Sequence, residues 1–285
     1  MYQIITDTGC DFPSHMYEEL QLKVVPLHVT YKNETYTSYD EPWLKDFFAG
    51  LRAGEVATTS AVNPEGWRSA IEPVLQAGKD ALVLTFSSGL STTYQSAVIA
   101  ADELQEQYPH RKVFVVDTLC ASLGQGLLVW YACQKRDAGL SLEELRDWCV
   151  ATLPNLCMWF TVDDLMYLKR GGRISATTAL VGTMLQIKPV LHVDDEGHLI
   201  NVTKARGRKA SLDALCTKLE QTGLPGQNDT VFICHGDCQA DVDYLSQKLK
   251  EKCSVKNVFS YYVGAVIGSH SGPGTMALFF LGNKR

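Results

Sequence analysis

The segment Leu84–Ala97, LTFSSGLSTTYQSA, carries four serines and three threonines and no charged side chain. It follows the apolar run ALVLTF and opens a helical pattern, so its hydroxyls stand where a strand hands over to a helix. Two further polar segments border apolar runs in the same half, DTGCD at residues 7–11 and ATTSAVNPEGW at residues 57–67. Ser60 or Asn63 is placed to cap a helix begun by Pro64 and Glu65, and Ser91 to cap the next. Helix N-termini leave backbone N–H groups unpaired and favour negative charge, so these loops suit an anion. Taken singly, each loop reads as a cap; two in one half point to a site.

The composition of the loops selects the kind of anion. No lysine or arginine lies within Thr58–Asn63 or Ser87–Thr93. A phosphate recruits cations, whereas a lone carboxylate is satisfied by a few hydroxyl and N–H donors. Nucleotide fingerprints are missing: there is no GxxxxGK[ST], and GQG at Gly124–Gly126 continues as Leu-Leu-Val without a third glycine. The hydrolase elbow GxSxG is also missing, so a serine nucleophile has no support. His270, among Gly268, Gly272 and Gly274, reads as a donor to a carboxylate or to the hydroxyls that hold one. Its other reading is a structural residue of a tight loop.

The elements that must position these residues alternate. YQIITDT, LKVVPLHVTY, ALVLTF and KVFVVDT read as strands, with helices near Ser14–Leu20, Ser91–Tyr108 and Ser122–Asp137. Strands separated by helices imply βαβ units and a mainly parallel sheet, which defines a first α/β domain over residues 1–155. The remainder, residues 156–285, reads as a second α/β domain with a mixed sheet. LCMWFTV is a strand, the helix in DDLMYLKRGGRIS breaks at Gly171-Gly172, and KPVLHVDDEGHLINVTKA is two strands around Asp195–Gly197. Two such domains place a ligand cleft between them.

With 285 residues, a net charge of −6 and 46% hydrophobic side chains, the chain is ordinary globular material and no nucleic-acid partner is expected. No apolar run approaches a bilayer span, and MYQIITDTG reads as a strand, not a signal peptide. The nine cysteines sit mostly in apolar stretches and form no CxxC pair, so the chain reads as reduced and cytoplasmic. Cys234, His235 and Cys238 lack the second ligand pair that zinc spacing requires, so no metal is expected.

Taken in order, TDTGCD, TTSAVNP, SSGLSTTYQSA, VVDT, TVDDLMYLKRGGRIS, GTMLQIKPVL, ARGRKA and GAVIGSHSGPG resemble the DegV family, the acyl-carrier subunits of bacterial fatty acid kinase, over essentially the full length. The chain departs at Thr8, where the family often has serine, and at Ala61-Val62, where Gln-Pro is frequent. The resemblance implies a non-enzymatic carrier that buries a long-chain fatty acid in a tunnel between two α/β domains, with no cofactor. A partner kinase subunit phosphorylates the carboxyl to an acyl-phosphate for phospholipid synthesis, and transient contact with a membrane surface is compatible with that role. Carried over by residue, Thr59, Ser60, Ser87 and Ser88 match the carboxylate-holding loops, His270 the histidine near the carboxylate, and Arg173 an arginine at the domain junction. Lys204, Arg206, Arg208 and Lys209 match the region linked with kinase docking; read alone, they are a solvated helix start.

At ~0.8 kcal/mol per buried CH₂, about fourteen methylenes supply roughly 10 kcal/mol before binding entropy is subtracted. Candidate walls are the apolar helix Ala179–Ile187 and the strand with Phe279 and Phe280, each also readable as plain core. The rival class is a serine-dependent acyl hydrolase or acyltransferase using Ser88 or Ser91 with His270.

Overall fold

The computed structural model describes residues 1–175 and 187–285. β1 (Tyr2–Asp7), β2 (Lys23–Val25), β6 (Asp80–Thr85) and β7 (Val113–Asp117) form a parallel sheet in the order β2-β1-β6-β7. Ala81–Thr85 are all buried, the continuous run expected of a central parallel strand covered on both faces. The expected parallel half is therefore present.

The stretch LKVVPLHVTY, read above as one strand, is two. β2 stops at Val25 because Pro26 has no N–H to give the ladder, and the N–H of Leu27 donates to Thr8 Oγ1 at 2.9 Å. Beyond that break β3 (His28–Tyr31) joins β4 (Glu34–Tyr36) and β5 (Ala57–Ser60) in a small antiparallel sheet of order β4-β3-β5. Its register sets Val29 opposite Thr59 and His28 opposite Ser60.

The second half is a mixed six-stranded sheet of order β10-β9-β8-β13-β11-β12. Its strands are β8 (Leu156–Thr161), β9 (Ile187–Val193), β10 (Leu199–Arg206), β11 (Thr230–His235), β12 (Asn257–Tyr262) and β13 (Met276–Leu281). Only the β11–β12 pair is parallel among these described strands. Ile187 opens β9 and ends no helix, and residues 179–186 of the expected tunnel wall lie outside the described residues.

Among the described residues the α-helices are α1 (Ser14–Glu19), α2 (Glu41–Arg52), α3 (Pro64–Gln76), α4 (Thr93–Gln107), α5 (Leu123–Asp137), α6 (Leu142–Thr152), α7 (Met166–Arg170), α8 (Arg208–Thr222), α9 (Gln239–Cys253) and α10 (Ala265–Ser271). Two of them join the halves. α5 lies against β6 of the parallel sheet and against β8, β11 and β13 of the mixed one, and Leu123–Val129 are buried on every side. α10, from the far end of the chain, packs on α2, β3 and β5, with the Phe48 ring 2.8 Å from where a Cβ of Gly268 would stand.

A clasp closes the seam between the halves. In the β9–β10 turn the Asp194 carboxylate accepts from the N–H groups of Glu196 (3.1 Å) and His198 (2.8 Å), and Gly197 takes φ +78°. The Ser87 hydroxyl donates to the Gly197 carbonyl at 2.9 Å and accepts from the Gly89 N–H at 3.2 Å. A Cβ on Gly89 would come within 2.7 Å of that carbonyl oxygen. Ser87→Ala removes both hydrogen bonds at a buried position, so the unfolding free energy should fall by about 1–3 kcal/mol. Urea denaturation measures this, and an unmoved midpoint would contradict the clasp.

Candidate functional site

In the parallel sheet β2 lies on one side of β1, and β6 and β7 on the other. The order therefore reverses between β1 and β6, and the crevice at their C-terminal ends is where open α/β sheets bind ligands. A buried acid organises that point. Asp7 accepts from the N–H of Phe86 (2.8 Å), the N–H of Gly9 (2.9 Å) and Gln125 Nε2 (3.2 Å), tying the end of β1 to the hydroxyl loop and to α5. Burial pushes its carboxyl up to about 6. Asp117, at the end of β7, accepts from the N–H groups of Ser88 and Leu119, each at 3.1 Å.

These bonds correct the expectation that the loop offers backbone N–H groups. Those of Ser88, Gly89, Leu90, Ser91 and Thr93 all have partners within the protein. What the loop presents is hydroxyls. Ser91 is not the N-cap of α4; Thr92 holds that position without a side-chain bond, while Ser91 Oγ accepts from the Thr93 N–H at 3.3 Å. Before α3 it is Asn63, not Ser60, that caps, accepting from the Gly66 N–H at 2.8 Å.

Between the sheets lies a cavity of about 480 Å³. Its polar lining gathers Thr59, Ser60, Ser88, Ser91, Thr92, Arg173 and His270, and Ser122, Ser271 and Thr275 line it as well. Direct contacts hold this group together. Thr59 Oγ1 is 2.8 Å from His270 Nε2 across the two ends of the chain. Arg173 donates from Nε (3.3 Å) and Nη2 (3.1 Å) to the Leu90 carbonyl, inside the hydroxyl loop. The His270 ring occupies the space a side chain at Gly171 would need, so the glycine break after α7 admits the imidazole. The rest of the lining is largely apolar, including Leu27, Phe86, Leu90, Met158, Phe160, Val266 and Phe279.

Electrostatics divide the roles. Burial, reinforced by the neighbouring Arg173 guanidinium, pushes the His270 imidazole down to about 4. His270 is therefore a neutral hydrogen-bonding group at pH 7, while Arg173 carries the positive charge, its own affinity for the proton lowered by burial. Such a set can hold one carboxylate: hydroxyls and imidazole as neutral donors, one guanidinium for the charge.

Of the residues expected at the site, Thr59, Ser60, Ser88, Arg173 and His270 meet at this cavity. Ser87 does not; it is fully buried and its hydroxyl serves the clasp on Gly197. In the basic run, Lys204 and Arg206 are exposed on the edge strand β10 and Lys209 sits 5.6 Å from the Tyr244 ring. Arg208 departs from the docking expectation: it pairs with Asp241 at 2.8 Å and Asp163 at 3.6 Å, anchoring α8 to its neighbours. Cys234 faces the cavity, while His235 Nδ1 accepts from the Cys238 N–H at 3.3 Å. Phe279 lines the cavity and Phe280 points into the opposite core, as strand alternation requires.

Sequence reading did not single out Asp117, nor the pair Asp11 and Ser122. Ser122 lines the cavity at φ +55° and donates to Asp11 Oδ2 at 2.5 Å, and burial lifts the Asp11 carboxyl to about 7. The acids of DTGCD and VVDT were visible as charges inside apolar surroundings, a signal that they serve buried N–H and O–H donors.

A family profile described as "Uncharacterised protein, DegV family" matches residues 1–283. The chain belongs to the DegV family. A DegV domain-containing protein of Clostridium perfringens is 43% identical, covering 100% of this chain and 98% of that one. A DegV family protein from Thermus thermophilus, whose structure is described for its fatty acid binding, is 31% identical with a TM-score of 0.86 and 99% of each chain covered. The Fak B3 protein of Streptococcus pneumoniae fatty acid kinase, loaded with linoleic acid, shares the DegV fold at 21% identity (TM-score 0.85, 99% of this chain and 100% of that one). Among the described residues, no helix is long and apolar enough to cross a membrane and no metal-binding cluster forms.

The depressed His270 value gives a testable sign. Its folded-state pKa lies below the unfolded one, so it contributes stability above pH ~6.5 that is lost as pH falls through about 4. In the ligand-free protein, NMR of the His270 ring should show a midpoint near 4, moving up toward the ordinary range in Arg173→Met. A wild-type midpoint near 6.5 would contradict the burial of this ring.

Proposed function

We propose that this DegV protein carries a long-chain fatty acid in a tunnel formed by the cavity, with the carboxylate at Thr59, Ser60, Ser88, Arg173 and His270. The observation that carries the reading is the uneven polarity of one cavity: hydroxyls, imidazole and guanidinium gather at Thr59, Ser60, Ser88, Arg173 and His270, and Leu, Phe, Met and Val predominate in the rest of its lining. The fatty acid binding described for the Thermus relative at 31% identity supports it. Ser60 and Thr92 are exposed, so a carboxylate held there remains within reach of solvent and of a partner.

The partner proposed is the catalytic subunit of a fatty acid kinase. It would transfer the γ-phosphoryl group of ATP to a carboxylate oxygen, giving an acyl-phosphate and ADP for phospholipid synthesis. The protein's part is to keep the carboxylate ionised and aimed, with Arg173 and the hydroxyls stabilising the charged form. Exposed Lys204, Arg206 and Lys209 on an otherwise acidic chain suit an acidic docking face. On this reading the chain itself is not an enzyme. The geometry speaks against the serine-hydrolase alternative: His270 pairs with Thr59, and the charge that acts on it is the cation Arg173, where a triad needs an orienting carboxylate.

The head-group assignment is tested with a fatty acid and the alcohol of equal length, each titrated into wild type, Thr59→Ala and Ser88→Ala. Hydrogen bonds to a charged group are worth roughly 1.5–3 kcal/mol, so acid affinity should fall about tenfold to a hundredfold in each variant. The alcohol should bind wild type more weakly and be nearly indifferent to the substitutions. Equal losses for both ligands would mean that the hydroxyls shape the cavity without reading the carboxylate.

For the docking surface, Arg206→Glu should leave fatty acid affinity unchanged and raise the carrier concentration needed for half-maximal acyl-phosphate formation roughly tenfold. An unchanged carrier dependence would remove Arg206 from the kinase interface.

A further inference from the structure

We infer that Gly124 sets the length of acyl chain the cavity accepts, by leaving room for the Met158 and Phe279 side chains, which form the cavity wall three residues along the sheet from its Arg173–His270 end. The inference rests on the reading of the cavity as an acyl-chain site.

The position of this wall follows from the sheet register. β8 and β13 run antiparallel, with Thr161 opposite Met276 and Met158 opposite Phe279. Arg173 follows the C-terminal end of β8, and His270 precedes the N-terminal end of β13, so the polar cluster adjoins the Thr161–Met276 end. The Met158–Phe279 pair lies three residues further along, about 10 Å at the usual strand rise. There α5 comes down on the sheet. Ala121 and Ser122, just before the helix, line the cavity, whereas the helix residues from Leu123 onward do not. The cavity ends where the helix meets the strands.

Gly124 stands at that junction. A Cβ built on it would lie 2.6 Å from Met158 Sδ, 2.9 Å from Met158 Cγ and 2.9 Å from Phe279 Cδ1. Its backbone is not in the left-handed region that demands glycine, and glycine is among the poorest helix formers, so turn geometry does not account for it. What the residue supplies is the missing methyl. On another side Met158 is backed by the Arg285 guanidinium, 4.0 Å from its sulfur. The free volume adjoining both Met158 and Phe279 is the cavity they line, so a larger residue at position 124 drives them into it.

The test compares wild type, Gly124→Ala and Met158→Ala, each titrated with saturated acids from dodecanoic to octadecanoic by displacement of a fluorescent fatty acid. In Gly124→Ala the affinity for the longest well-bound acid should drop about fourfold per methylene displaced, with the shorter acids unaffected. In Met158→Ala, which opens the same wall from the other side, the optimum should move to longer acids. If Gly124→Ala does not fold by thermal melting, the Met158→Ala arm decides alone. Binding with an unchanged length profile in the folded variants overturns the role of Gly124 while leaving the fatty-acid reading intact. Failure of the wild type to bind any of these acids overturns the reading and this inference together.

Discussion

On the function proposed, a charged head group is drawn out of water at a seam between two sheets, and the contact of Thr59 with His270 is where the protein meets that constraint. The two residues come from an edge strand near the start of the chain and from a short helix near its end. Neither half holds the whole donor set: Thr59, Ser60 and Ser88 belong to the first, Arg173 and His270 to the second. α10 packing on the small sheet, the clasp of Ser87 on Gly197, and α5 lying between both large sheets all fix the same seam. An apolar cavity needs close walls to exclude water, and a carboxylate at its mouth needs several donors in register.

Carboxylates at the ends of β1 and β7 brace this geometry. Asp7 and Asp117 take up N–H groups that a loop at the end of a parallel strand leaves over, so the hydroxyls of Ser88 and Thr92 remain for the cavity. Asp7 and Asp11 are also raised to about 6 and 7 by burial. An acid whose folded pKa lies above its unfolded value contributes stability below about pH 4 that is lost as pH rises through the folded value. His270 has the opposite sign over part of that range. The acids and the imidazole therefore offset one another between pH 4 and 7, and the net pH dependence of folding is flatter than any one group implies.

Much of this was legible in the sequence, for physical reasons that can be named. The apolar runs of β1, β6 and β8 and the Gly171-Gly172 break announce their own structure, and the hydroxyl loop stands out because it lacks charge. The small sheet was hidden because β5, ATTS, has no apolar side chain larger than the methyl of Ala57, and because Pro26 divides a run that reads as continuous. Ser87 and Ser88 are adjacent and chemically identical; the turn that follows β6 sends one into the clasp and leaves the other at the cavity. Arg208 could not be separated from Arg206 either, since its partners Asp163 and Asp241 arrive from distant elements. Long-range pairing decides such cases, and spacing along the chain does not encode it.

The central claim is that this cavity holds an ionised carboxylate beside Arg173 and the hydroxyls. The most direct measurement is ¹³C NMR of carboxyl-labelled palmitate bound to the protein, followed through an acid titration. The account predicts one bound resonance whose midpoint lies below the ordinary carboxylate range and rises in Arg173→Met. A missing bound resonance, or a midpoint in the ordinary range that Arg173→Met does not move, would contradict it.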